Sequence, residues 1–470
     1  MMGWNPPFFM ADPVAHCGVF LLVPGDSSFF VSPSPGARNP VYFHKTTVEA
    51  STKLRVSRSS FLGRIAPGMA LVALLGLAGC KDPGTTTGKT SAPDDNSASP
   101  ASTSQNTAQD TSGAEIKVGH YASLTGDTAT FGVETDEGIR LAVKQLNSKG
   151  GVLGKKFAVE TQDDQSKPEE AATVVTKFSN DPQIVAVLGE VASSRSLRAA
   201  PILQRAGIPM ISPSSTNPDV TKVGDNIFRV CFIDPFQGYV MAKFAHDELK
   251  AAKVGVMHDQ SSDYSVGLAN VFKKEFQKMG GTITNDVSFN SKDSDFRGQL
   301  SQVKGADALF VPGYYGEVGT IARQAREQGI NVPLLGGDGW DSEKLVEGAG
   351  GPGKALEDCY FSNHYSKDDK SPRVQDFVKA YTAEYSKAPS GLAAMGYDAM
   401  MLLADAIKRA GATERPKVRE ALAGTKDFPG VTGNITIDAD RNATKPAVVL
   451  QIKGSEFQYK TTVQPPTAAK

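Results

Sequence analysis

The sequence predicts an α/β protein built on parallel sheets, with enough chain for two lobes. Three observations carry that prediction. From Glu115 onward, apolar segments of strand length alternate with helical stripes, the order that builds parallel sheets. One segment, Ile184-Val185-Ala186-Val187-Leu188, is unbroken, as in strands buried on both faces. Two strand ends about one βαβ unit apart carry hydroxyl clusters: Ser193-Ser194 after the first, and Ser212-Pro213-Ser214-Ser215-Thr216 on the second. In a doubly wound sheet those ends share the edge where ligands bind. Hydroxyls and free N–H groups at helix starts suit an anion such as a carboxylate, although Ser and Thr also cap helices and turns without any ligand.

The chain of 470 residues exceeds one ordinary core. Its formal net charge is -1 and no long basic stripe appears, so nucleic-acid binding has no support. No apolar run reaches bilayer-spanning length. The four cysteines, Cys17, Cys80, Cys231 and Cys359, form no CxxC, which leaves zinc and dithiol redox chemistry unsupported. No metal or other cofactor is expected.

Residues 1–50 show no sustained period. Then Lys53, Arg55, Arg58 and Arg64 precede an apolar run from Ile65 to Ala78, closed by Leu77-Ala78-Gly79-Cys80. A basic region, a short apolar core and small residues make a secretory signal. Its ending resembles the bacterial lipobox, with Cys80 as the lipidated residue. Because a signal belongs at the start of a chain, translation is expected to begin near Val56, with residues 1–55 a mis-assigned extension. Peptides from Gly3 to Lys45 in cells would contradict this. Residues 56–79 are then the signal peptide and 80–113 a tether. From Lys81 to Ser112 that tether has no aromatic residue, so it cannot bury enough surface to fold. A lipid anchor would be the chain's only contact with a membrane.

The elements follow in order. Ile116 to Gly119 reads as a strand, then Ile139, Ala142, Val143 and Leu146 as a helical stripe ended by Gly150-Gly151. After a strand from Phe157 to Thr161, Ser166-x-x-Glu169 with Pro168 opens a helix bearing Ala171, Val174, Val175 and Phe178. The strands Ile184–Leu188 and Ile208–Ile211 flank a helix over residues 196–205, where Pro201 predicts a kink or late start. Ile227–Phe232 is a strand, and Phe236, Val240, Phe244 and Leu249 mark a helix. Further strands are expected at Lys253–Met257, Ala308–Val311, Pro333–Leu335 and Cys359–Ser362, with helices marked by Leu268, Phe272, Phe276 and Met279 and by Val318, Ile321, Ala322 and Ala325. Long helices follow over 372–385 and 394–410, then short strands at 435–437, 448–452 and 457–459.

Several motifs point nowhere. Gly348 to Ala355 approaches the phosphate loop GxxxxGK[ST], but Ala355 lacks the hydroxyl that would hold Mg²⁺ and the order of flanking elements is reversed; it reads as a turn. No GxGxxG follows the first strand. The six histidines pair with no nucleophile, so no enzyme is expected. Cys231 and Cys359 allow either a disulfide or two buried thiols. The remaining strand ends carry Tyr121, Ser123 and Phe131; His258 to Tyr264; Tyr314, Tyr315 and Glu317; and Asp338 with Trp340. Six such loops read as two halves of one cleft, with hydroxyls in the first half and carboxylates in the second. A zwitterion needs both.

From Glu115 to about Phe457 the chain resembles the leucine/isoleucine/valine-binding proteins of bacterial ABC transporters, which are type I periplasmic binding proteins. The stretches that carry the resemblance are Ser123-Leu124-Thr125-Gly126 with Phe131-Gly132, Asn147 to Gly151, Gly189 to Ser194, Ile208 to Thr216 and Gly313 to Glu317. It implies two doubly wound α/β lobes joined by three crossovers: residues 114–233 with 364–441, and 234–363 with 442–470. It implies capture of an amino acid, branched-chain or of similar size, and partnership with permease subunits in the membrane; the alternative is a sensing receptor of the same fold for an amide or other small polar compound. By the same resemblance Ser193 and Thr216 bind the α-carboxylate, and the Ser214 carbonyl, Thr216 and Glu317 receive the ammonium. Tyr264 reaches the ligand from the second lobe, Phe131 lines the side-chain pocket, and Asp338 and Trp340 add cleft contacts. Ser194, Ser215 and Tyr121, from the same strand ends, complete the expected ligand-binding set. The family's short disulfide is absent, with Gln165 and Ala192 in its place, and Asp338 adds a second acid.

Overall fold

The computed structural model describes residues 115–465. The expected extension, signal peptide, Cys80 and tether lie outside them. The first part of the chain runs β1 (Ile116–Ala122), α1 (Ala129–Ser148), β2 (Phe157–Asp163), α2 (Pro168–Asn180), β3 (Ile184–Leu188), α3 (Ser193–Arg205), β4 (Met210–Ser212), α4 (Asp219–Lys222) and β5 (Ile227–Arg229). Its five strands order as β2-β1-β3-β4-β5, all parallel. The order turns back at β1, so the loops after β1 and β3 splay apart there and leave a crevice. All five residues of β3 are buried, as the unbroken apolar run requires.

The chain then runs α5 (Asp234–Lys243), β6 (Lys253–Asp259), α6 (Asp263–Lys278), β7 (Thr282–Phe289), α7 (Arg297–Gln302), β8 (Ala308–Phe310), α8 (Tyr315–Glu327), β9 (Leu334–Gly336), α9 (Glu343–Gly348) and β10 (Cys359–Asn363). It returns to the first lobe with α10 (Pro372–Tyr385), α11 (Gly391–Ala410), α12 (Arg415–Ala423) and the short strands β11 (Phe428–Gly430), β12 (Gly433–Ile437) and β13 (Ala443–Thr444). There Ile139 and Ala142 of α1 share one core with Met395, Ala399, Leu402 and Leu403 of α11. The chain ends in the second lobe with β14 (Ala447–Lys453) and β15 (Glu456–Val463). The second sheet orders as β15-β14-β10-β9-β8-β6-β7. The chain thus passes between the sheets three times: after β5, after β10 and after β13.

The architecture is the expected α/β one, with differences of detail. The second sheet is mixed, because β14 pairs antiparallel with β10 and with β15. Strand β7 carried no signal: its sequence TITNDVSF has one fully buried residue, at its end, as an edge strand allows. Helix α3 starts at Ser193 and runs through Pro201, so the late start is not observed. Cys231 and Cys359 are free and buried, in different cores, which settles the thiol alternative. Among the described residues no helix is long and apolar enough to cross a membrane, and no cluster of metal-ligating side chains is present.

Candidate functional site

Loops from both sheets meet at their C-terminal edges around a small inner cavity. Phe131, Val191 and Ser214 line it from the first lobe together with Leu392 at the start of α11. Tyr264, Tyr314, Asp338 and Gly339 line it from the second. The aromatic wall is ordered: Tyr264 and Tyr314 stack at 5.2 Å and 7°, and Phe131 meets Tyr314 edge-on at 5.8 Å and 80°. Such pairs fix ring positions without needing a ligand to order them.

Asp338 is the acid of this cavity. Its Oδ1 accepts from the Tyr264 hydroxyl at 3.0 Å, and its Oδ2 lies 3.0 Å from His364 Nε2. Its backbone N–H donates to Gln237 Oε1 at 2.9 Å. The flanking glycines let this turn press onto Tyr264, since a Cβ on Gly337 would stand 2.4 Å from the Tyr264 hydroxyl oxygen. Opposite lies the Ser214 hydroxyl, which is buried and makes no hydrogen bond among the described residues. An unpaired buried hydroxyl costs about 1–3 kcal/mol, so Ser214 fits a polar guest; Thr216, two residues on, is also buried. Asp234 lies next to the Thr216 hydroxyl, and burial pushes its carboxyl up to about 7.

Ser193 and Ser194 begin α3. Ser193 Oγ accepts from the Asn217 N–H at 3.2 Å. Ser194 Oγ accepts from the Asp263 N–H at 3.1 Å, and Asn217 Nδ2 donates to the Asp263 carbonyl at 2.9 Å. These bonds join the start of α3 to the start of α6 in the other lobe, so the lobes stand closed on each other here.

Four expected contacts fall elsewhere. Ser215 is scaffold: its Oγ bonds the carbonyls of Glu190 at 2.8 Å and Val191 at 3.0 Å and Ser196 Oγ at 2.8 Å. Tyr121 is core behind the sheet, its hydroxyl on Met210 sulfur at 3.6 Å. It packs on Gly189, whose φ of 126° and lack of a side chain leave that space. Trp340 fills the second core, its Nε1 donating to the Val311 carbonyl at 3.0 Å. Glu317 lines a separate outer chamber of about 390 Å³ with Thr125, Ser166, Arg195 and Lys292. Tyr314 borders both spaces. Glu317 Oε1 accepts only a long 3.4 Å bond, from the Lys292 N–H, and burial raises its carboxyl above the usual range. Glu317 stands in the first turn of α8, beyond Tyr314, whereas Asp338 stands on the loop that enters the cavity. Glu317→Ala is therefore expected to change amino-acid affinity less than about threefold, below ~0.7 kcal/mol, by calorimetry.

Beneath the cavity the loop after β3 is held by a buried network. The Glu190 carboxylate accepts from Arg195 Nε at 2.8 Å, the Ala192 N–H at 2.6 Å and Ser123 Oγ at 3.1 Å. Arg195 Nη2 reaches Thr128 Oγ1 at 2.7 Å. This ion pair sets the direction of α3 and so the place of Ser193.

The comparisons identify the family. Residues 115–456 match the family model described as periplasmic binding protein. The chain belongs to that family. It is 30% identical over 351 residues to the Leu/Ile/Val-binding protein homolog 1 of Brucella suis, covering 74% of this chain and 93% of that one. Among solved structures, the leucine-binding protein LivK of Thermotoga maritima is 40% identical with a TM-score of 0.71, over 74% of this chain and 99% of the other. The branched-chain amino acid substrate-binding protein LivJ of Streptococcus pneumoniae, solved with isoleucine, is 36% identical with a TM-score of 0.71, over 75% and 100%. As a periplasmic binding protein, this chain carries its candidate site where its two lobes meet.

Sequence reasoning missed Tyr314, Val191, Leu392, Asp234, Gln237 and His364. Tyr314 was visible in the loop after β8. Leu392 and His364 come from segments far along the chain and carried no local signal.

Proposed function

We propose that this chain is the extracytoplasmic substrate-binding component of an ABC transporter and captures an α-amino acid with an aliphatic side chain of branched-chain size. The observation that supports this reading best is the set of residues gathered at the inner cavity, which in this closed arrangement has a free volume of only about 10 Å³ and must widen to admit a ligand. It offers one acid, Asp338, against the unpaired hydroxyl of Ser214, with Phe131, Val191 and Leu392 as apolar walls. An ammonium needs the acid, a carboxylate needs hydroxyl and N–H donors, and a short aliphatic group needs the walls. The names of the relatives fit the same ligand class. Asp338 takes the ammonium, and Ser193, Ser214 and Thr216, with the start of α3, take the carboxylate. Because partners come from both lobes, ligand favours the closed arrangement by its extra contacts there. The closed form is what permease subunits in the membrane would recognise. Export through the signal segment and anchoring through Cys80 complete this reading.

A thermal-shift screen of the twenty amino acids and small amides tests it. L-leucine, L-isoleucine or L-valine at 100-fold over Kd should add about 2.7 kcal/mol of stability. A shift confined to amides, or to none of these compounds, would contradict the assignment.

A further inference from the structure

We propose that His364 is a positioning residue of the ligand site, an internal base that in its protonated form competes with the ligand's ammonium for Asp338. The inference rests on the amino-acid reading above and adds a proton linkage to it. His364 follows β10, where the chain crosses between lobes. Its ring is buried and packs on Phe232, at the first crossover, with centroids 3.9 Å apart and the planes tilted by 31°. Its Nε2 lies 3.0 Å from Asp338 Oδ2, and its Nδ1 has no partner among the described residues. One side chain thus touches the site's acid and two of the three crossovers.

The groups around it set the sign. Asp338 favours the charged ring; Lys445, buried at the third crossover, opposes it, and burial outweighs both so that the ring titrates below its ordinary value. Cys231 follows β5, one residue before Phe232, and burial holds its thiol protonated. His364 also lines a hinge-side cavity of about 740 Å³, which holds Asp368 and Arg373, of opposite charge. Neutral His364, as the Nε2–H tautomer, donates one hydrogen bond to Asp338 Oδ2 and fixes that carboxylate. Protonated His364 neutralises that carboxylate. When the ligand's ammonium takes Asp338, the ring loses its supporting anion and titrates lower still, so binding expels any proton it holds. Affinity therefore falls only once pH drops below the lowered value at which the ring titrates in the unliganded chain, by at most about tenfold per pH unit for one linked proton.

Calorimetry with L-leucine over a series of increasingly acidic pH values, each in two buffers of different ionisation heat, counts protons released. The wild-type chain is expected to release a measurable fraction of one proton, and His364→Gln to release less and to lose part of the acid-side decline in affinity. Asp338→Asn, which removes the anion and keeps the ring, should abolish the His364-linked release. Binding of L-leucine with equal proton counts in the wild type and His364→Gln would overturn the inference while leaving the amino-acid reading intact. No heat with L-leucine or any other amino acid would overturn both. A loss of affinity in His364→Gln that is uniform with pH would reduce His364 to a structural part and also overturn the inference.

Discussion

Asp338→Ala is expected to weaken amino-acid binding by about 2–5 kcal/mol, roughly 30-fold to several thousandfold. The substitution leaves a ligand ammonium in a closed cavity with no anion, and the cost of an unpaired buried charge exceeds the value of the pair itself. It also strips the Tyr264 hydroxyl of its acceptor at 3.0 Å, so part of the loss comes from a loosened aromatic wall. Asp338→Asn separates the two effects. It keeps an acceptor for Tyr264 and removes only the charge, and should fall between wild type and Asp338→Ala. Isothermal calorimetry with L-leucine decides it, with Glu317→Ala as the control that should bind nearly as the wild type does. If Glu317→Ala were the damaging change and Asp338→Ala the mild one, the assignment of the acid would be reversed.

Glu190→Ala carries the second large effect, on stability rather than on ligand contacts. Glu190 and Arg195 are 1% and 6% exposed, and their ion pair is the centre of the network under the loop after β3. Removing one partner of a buried pair costs about 3–5 kcal/mol, because the other charge stays behind without compensation. Here Arg195 would keep Thr128 and, at 4.0 Å, Asp164, whose carboxyl burial pushes up to about 7. Asp164 can therefore take over part of the charge by ionising, which places the expected loss near the lower end of that range. Chemical unfolding should show it, and the loss should grow on the acid side as Asp164, whose carboxyl falls from about 7 once Glu190 no longer repels it, becomes protonated. Denaturation curves for Glu190→Ala that overlay the wild type would show that the network contributes nothing.

Much of this was legible in the residues. The unbroken Ile184–Leu188 run and the alternation around it located the first sheet, because burial on both faces leaves a pattern no amphipathic element gives. The hydroxyl clusters were legible as a place but not as a division of labour. Ser196, Ser212 and Ser215 bond the Glu190 carbonyl and one another, whereas Ser214 is left unpaired beside the cavity. Successive residues of one turn face opposite ways, and only the fold says which way is inward. The placement of the two acids was not legible for a similar reason. Glu317 and Asp338 both follow strands of the second sheet, and their order in the chain does not reveal that Tyr314 stands between Glu317 and the inner cavity. Trp340 was expected in the cleft on the resemblance and Tyr121 on its place at a strand end, but aromatic rings serve cores and ligand walls alike. Strand β7 was invisible because an edge strand needs no apolar run.

A crystal structure of the chain grown with L-leucine tests the central claim most directly. The account predicts the ammonium nitrogen within hydrogen-bonding distance of Asp338, the carboxylate against Ser193, Ser214 and Thr216, and the isobutyl group between Phe131, Val191 and Leu392. A ligand whose ammonium rests on Glu317 in the outer chamber, or an inner cavity that stays empty at saturating L-leucine, would contradict it.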